Sequence, residues 1–405
     1  MLTLATSNAA KYEPFAAELD RLQIVLENPS RPLPEIQSLS FFQTLEIKAR
    51  AAAELFRRPV LVDDAGLVLE EYQPFPGPLT STVIPSIGPA GLRRLLEGVS
   101  DRARMECHLG CWVQGALRHW WAWVGGRVDV SRSPRDGRMI LSDLFVPDEP
   151  HQDDRLVHRA RALAALEAGI FELHLDLAPS PPPYESTCGS RSDYQCPFCA
   201  EIDGDSTSIF AQMAGERLAS RVVYQDENFL VMPPIGQFAE GGLLLMPREH
   251  IISFAHLQPK LYPVLERLLA AITGAVAERW GVPPLVFEHG PAPERGKGVC
   301  CVDHAHFNIF PVRASVRPQL AQRMSMRIGS LNDLRRLQAA EFGYLFVQEN
   351  GGTRWAYDGR SAPTQLVRRI ITSQIGVPDR WHWRDYPGYD ELVATYHALK
   401  GRIRP

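Results

Sequence analysis

The residues best suited to chemistry lie in Asp303–Val312, where polar and apolar residues alternate. That is the period of a β-strand. It sends His304, His306 and Asn308 to one face and Ala305, Phe307 and Ile309 to the other. Two imidazoles and a carboxamide in one row are costly to bury unless they bind something. A neutral imidazole is a nucleophile that need not first lose a proton. An amide can donate a hydrogen bond but cannot shuttle a proton at neutral pH. A second set begins with Cys196-Pro197-Phe198-Cys199, to which His250 and His304 can be added. Two thiolates and two imidazoles make a closed, tetrahedral zinc site of the structural kind. Cys300 and Cys301 are rival thiols, and Arg295 and Lys297 place cations on a glycine-flanked loop where phosphate could bind.

A third set lies near the amino terminus. The apolar run Met1–Thr6 reads as a strand that enters a turn containing Asn8 and Lys11, with a helix after it. Free N–H groups and the helix dipole make such a turn a phosphate site. Further on, Leu33-Pro34-Glu35 precedes a helix carrying Lys48, and Pro59–Val62 reads as a strand that ends in Asp63-Asp64-Ala65-Gly66. Carboxylates at a strand's carboxyl end lie where α/β sheets commonly bind ligands. With Glu35 they could hold Mg²⁺, which prefers oxygen ligands and substrate phosphates.

These residues carry two family resemblances. The first set resembles the signature of the histidine triad (HIT) superfamily, whose members split phosphoanhydride or phosphoramide bonds in nucleotides or transfer nucleotidyl groups. The resemblance implies that His306 is the nucleophile on the α-phosphorus, forming a nucleotidyl-histidine. It also implies Cys196, Cys199, His250 and His304 as the zinc ligands. The third triad position is Asn308 instead of His. That departure favours transfer or phosphorolysis beside hydrolysis; a nucleotide-binding module without turnover is the alternative of another class. The amino-terminal set is similar to the inosine-triphosphate pyrophosphatase family, matched at Thr6, Asn8, Lys11, Glu35, Lys48, Asp63–Leu67, Pro76 and Gly77. By that resemblance Thr6, Asn8, Lys11 and Lys48 contact the triphosphate. Glu35, Asp63 and Asp64 take Mg²⁺, and Asp64 is the water-activating base. The family's aromatic base-reading segment is replaced by Arg138–Asp143, and its Ser-His-Arg by Val157-His158-Arg159. The domain therefore reads as degenerate in its base-reading half.

The elements that must position these groups fall into two α/β domains. The expected division is an inosine-triphosphate-pyrophosphatase-like mixed α/β domain over 1–170, a Pro/Ser-rich linker over 171–193, and a HIT-like antiparallel sheet with helices over 194–405. A helix is expected from His158 to about Ala168, and a long amphipathic one over Leu257–Trp280. The 405 residues suit two or three domains, and the formal net charge of −4 does not point to nucleic acid. No apolar run has membrane-span length, and no signal-peptide pattern opens the chain. Seven unevenly spaced cysteines do not form a disulfide framework. Together these lead to the expectation of a cytoplasmic protein with nucleotide substrates, one structural zinc, Mg²⁺ in the first domain, and a homodimer by analogy with its relatives.

Overall fold

A computed structural model describes residues 1–132, 144–149, 157–178, 196–206, 208–214, 218–291, 302, 304–340, 342–349 and 352–405. The chain divides into two compact units, Met1–Leu177 and Ala178–Pro405. Both mix helices with β-sheet.

The first unit is built on a six-stranded sheet. Its strands are β1 (Leu2–Ala5), β2 (Ile24–Glu27), β3 (Leu61–Leu69), β4 (Arg102–Val113), β5 (Ala116–Val128) and β6 (Phe145–Pro147). They lie in the order β2-β1-β3-β4-β5-β6. β1 runs parallel to β2 and β3; the remaining pairs are antiparallel. β4 and β5 are joined by Gln114-Gly115, both at positive φ, the conformation that a tight two-residue hairpin demands. The helix Phe41–Phe56 is capped by Ser40, whose side chain accepts from the Gln43 N–H at 3.3 Å. It packs Leu45, Ala49 and Ala52 on Val60 and Val62.

β3 departs from expectation. It does not end at the two aspartates but runs through them to Leu69. What ends there is its parallel neighbour, because β1 meets β3 only at Leu4↔Leu61. The long β4 then carries β3 onward, through Asp63↔Leu109 and Asp64↔His108. Gly66 is required on this path: a Cβ there would sit 2.1 Å from the Gly77 carbonyl oxygen. The helix Val157–Leu177 also runs past its expected end, because Ile170, Phe171, Leu173 and Leu175 are buried along it. Residues 171–177 are therefore helix, not linker. Residues 179–193 of the expected linker lie outside the described residues.

The second unit is an eight-stranded sheet. Its strands are β7 (Tyr224–Gln225), β8 (Phe229–Met232), β9 (Leu243–Pro247), β10 (Leu285–Gly290), β11 (Phe307–Phe310), β12 (Ser325–Arg327), β13 (Tyr344–Gln348) and β14 (Arg354–Asp358). The order is β12-β14-β13-β10-β11-β9-β8-β7, antiparallel throughout. On one face Phe287 and Phe310 pack against Val367 and Ile371 of the helix Leu366–Gln374. On the other Phe307 stacks on Phe254 with ring centroids 4.1 Å apart. The long helix spans Tyr262–Trp280, shorter than expected because its approach is two 3₁₀ turns, Phe254–His256 and Pro259–Leu261. Among the described residues no helix is long and apolar enough to cross a membrane.

Candidate functional sites

In the second unit, the histidine run is only half a strand. β11 begins at Phe307, and His304 lies in the bend that leads into it. The alternation still holds for His306 and Asn308, which both line a cavity. His304, fully buried, turns instead to the cysteines. Its Nδ1 lies 3.6 Å from both Cys196 Sγ and Cys199 Sγ, while His250 Nδ1 is 3.3 Å from Cys199 Sγ. The four ligand atoms lie within 4.8 Å of one another. Cys196 caps the short helix Pro197–Ile202, which carries Cys199 one turn on, so the Cys-x-x-Cys spacing brings both thiols to one point. Cys199 beside it, with His250 and His304, holds the Cys196 thiol far below its ordinary pKa. His304 Nε2 is 2.9 Å from the Pro247 carbonyl oxygen. A carbonyl only accepts, so Nε2 carries the proton and Nδ1 presents a lone pair to the cluster, the arrangement a metal-bound imidazole needs. The donor set suits zinc.

His306 is fixed by the same logic. Its Nδ1 is 2.7 Å from the backbone carbonyl oxygen of His304. Nδ1 therefore donates, and Nε2 is left with a lone pair. Burial, the leading cause, lowers the His306 pKa to about 4, which favours the neutral ring at ordinary pH. Phe198 meets the rings of His304 and His306 edge-on, at 5.9 and 5.4 Å. The cavity is lined by apolar side chains that include Phe198, Phe210 and Ile235, and by polar ones that include His289, His306, Asn308, Gln365 and Arg368. Arg368 reaches it from the Leu366–Gln374 helix, its Nε donating to the Trp381 carbonyl at 2.9 Å. His289 is a residue that sequence reasoning gave no role. Arg295, Lys297, Cys300 and Cys301 lie outside the described residues.

Next to His289 on β10, Glu288 is buried and accepts from the Phe254 N–H at 2.8 Å and from the Tyr344 hydroxyl. Burial pushes its pKa up to about 8. Its ordinary value is 4.5. Between those limits the folded chain binds a proton that the unfolded chain has released, so stability falls as pH rises from about 4.5 to about 8. Glu288→Gln is expected to flatten that slope; denaturant unfolding of both proteins at pH 5 and pH 8 checks it.

In the first unit the strand alternation separates the two aspartates. Asp64 continues the Val60, Val62 face toward the Phe41–Phe56 helix, while Asp63 points to the opposite face, where Tyr12 and Arg159 lie. The three expected Mg²⁺ ligands thus do not converge. Among the described residues only the Cys/His cluster brings three or more such ligand atoms together. What remains beside Asp64 is Lys48, whose Nζ lies 3.5 Å from Glu35 Oε1 and donates to the Asp63 carbonyl at 2.9 Å. Burial, opposed by Lys48 and reinforced by Asp63 and Glu35, raises the Asp64 pKa to about 6. Its Oδ1 accepts from the Ala65 N–H, but its buried Oδ2 has no partner. An orphaned carboxylate oxygen suits a cation or a water to be activated. Thr6 is buried and its Oγ1 accepts from the Asn8 N–H at 3.2 Å; Asn8 and Lys11 are exposed around it. His158 is buried, and its Nε2 accepts from Arg159 at 2.9 Å. The expected base-reading segment, Arg138–Asp143, and Asp153 lie outside the described residues. Beside Asp64 a further network was missed. Glu106, His108 and His119 are linked in series by two 2.9 Å contacts, with Phe41 stacked on His108 at 4.2 Å. Its members come from two strands, and no linear motif announces it.

Comparison with known proteins separates the two units. A model described as scavenger mRNA decapping enzyme C-term binding matches residues 207–290. A solved member of the HIT family from Bacillus subtilis is 24% identical with a TM-score of 0.24, covering 29% of this chain and 73% of that one. A HAM1 protein from Coxiella burnetii is 21% identical with a TM-score of 0.37, covering 42% of this chain and all of that one (100%). The inosine triphosphate pyrophosphatase 2 of Trypanosoma cruzi is 33% identical over 180 residues, which are 41% of this chain and 90% of the relative. The Ham1 family model spans residues 2–168, and through that first unit the chain belongs to the Ham1 family.

Proposed function

We propose that the chain carries two nucleotide-processing sites. In the second unit, His306 Nε2 attacks the α-phosphorus of a nucleotide and the bond to the leaving group breaks, giving a nucleotidyl-histidine. Water, phosphate or another acceptor then resolves it. The observation that carries this reading is the 2.7 Å contact of His306 Nδ1 with the His304 carbonyl, because it leaves Nε2 as a lone pair at the cavity wall. Asn308 donates to a phosphoryl oxygen. Stabilising charge on the transferring group is the larger part of such catalysis, with positioning second. Zinc at Cys196, Cys199, His250 and His304 would tie the short helix to the histidine segment and stabilise the fold.

In the first unit, Thr6, Asn8, Lys11 and Lys48 bind a nucleoside triphosphate, and Asp64 Oδ2 takes a proton from the attacking water. Mg²⁺, when bound, would supply Lewis-acid stabilisation of the phosphates; Asp64 and Glu35 are the residues that suit it. The unpartnered Oδ2 and the raised pKa of Asp64 support the base role. Pyrophosphate release by the His306→Ala protein, which isolates this site, tests it. With Mg²⁺, inosine and adenosine triphosphates are expected to react within about tenfold of each other, and Asp64→Asn to cut both by about 10²–10⁴. Strong inosine selectivity would show that base recognition survives the loss of the aromatic segment.

A further inference from the structure

His289 is the one imidazole at the cavity that the mechanism above does not use. Only 8% of it is exposed, and its buried Nε2 has no hydrogen-bond partner. It lines the same cavity as His306 and Asn308. The β10–β11 ladder explains why. Leu285↔Phe310, Val286↔Ile309 and Phe287↔Asn308 fix the register; the ladder ends there, and continuing the same register past it brings His289 to the level of His306. Residues opposite each other on antiparallel strands share a face, about 5 Å apart at Cβ. An unpaired buried imidazole nitrogen costs free energy that a packing residue would not incur, so a polar group of the ligand is its natural partner. That partner is set by its neighbours: His306, Asn308 and Arg368 line the same cavity, and His306 and Arg368 are near enough to act on the His289 ring.

We infer that His289 is a catalytic residue that donates a hydrogen bond from its neutral ring to a non-bridging oxygen of the phosphoryl group attacked by His306. It supplies from β10 the second imidazole that the strand lacks at Asn308. The inference rests on the nucleotidyl-histidine reading of this site. It narrows the ligand to one whose phosphoryl group carries negative charge, with the nucleoside along Phe198, Phe210 and Ile235. Burial first, then His306 and Arg368, lowers the His289 pKa to about 3, which keeps the ring neutral before the ligand arrives. It therefore acts as a hydrogen-bond donor and no proton leaves it.

The full zinc-loaded chain should be titrated calorimetrically with AMP and with adenosine. His289→Ala is expected to weaken AMP roughly ten- to a hundredfold, the range for a hydrogen bond to a charged group, and to leave adenosine within about twofold. His289→Asn retains an N–H donor and should recover part of the loss; it also serves if the alanine variant fails to fold. Equal weakening of AMP and adenosine in the variants, or none, overturns the inference in favour of a packing role. Trapping an adenylylated His306 from a reactive AMP ester separates the two claims. A wild-type chain that forms the adduct while His289→Ala forms it at the same rate sinks the inference alone. A wild-type chain that never forms it sinks the parent reading and the inference together.

Discussion

His306→Ala is expected to abolish nucleotidyl transfer by the second unit. The loss should reach several orders of magnitude, as is usual when a covalent nucleophile is removed. The neighbouring groups have other tasks. The His304 imidazole is committed to the cysteines and to the Pro247 carbonyl, Asn308 has no nucleophilic nitrogen, and His289 in its inferred role keeps its ring proton as a donor. Single-turnover measurement of the nucleotidyl-enzyme checks the prediction, and wild-type turnover in the alanine protein would refute the mechanism. Asn308→His is the companion change. It restores an imidazole that can shuttle a proton, so hydrolysis should rise relative to transfer to an added acceptor. If it is silent while His306→Ala is dead, the nucleophile stands and the account of the amide falls.

The second large effect is expected at the metal cluster. Elemental analysis should find about one zinc per chain, because the Cys/His cluster gathers four donors, the number a closed structural zinc site takes. Structural zinc contributes apparent free energies of about 10–16 kcal/mol in small peptides, where folding depends on it. The second unit has a large core of its own, so Cys196→Ser should lower its thermal midpoint by on the order of 10 °C without unfolding it. Metal-free protein with an unchanged midpoint would show that the four residues are a hydrogen-bonded core cluster.

Local patterns were the readable part of the sequence. The Cys-x-x-Cys, the histidine run and the Asp-Asp-Ala-Gly segment each state their chemistry within a few residues, and the structure brings Cys196, Cys199, His250 and His304 together. What could not be read is set by register and by distant elements. The two aspartates look like one acidic site in sequence, yet adjacent residues in β3 face opposite ways. The strand was expected to stop at them because the apolar run Pro59–Val62 gives way there to two aspartates and a glycine; β4, about forty residues later, carries it on. His289 acquires meaning only when β10 is laid against β11. Arg368 and Gln365 come to the cavity from a helix about sixty residues after the histidine run.

One residue, His304, belongs to the Cys/His cluster and also holds the neighbouring His306 ring. The His304 ring faces the two cysteines, and its own carbonyl accepts the proton of His306 Nδ1. If zinc fills the cluster and His306 attacks as proposed, side chain and main chain of a single residue would connect metal loading to the tautomer of the attacking ring. The ¹⁵N chemical shifts of His306 would then report metal occupancy without touching the metal.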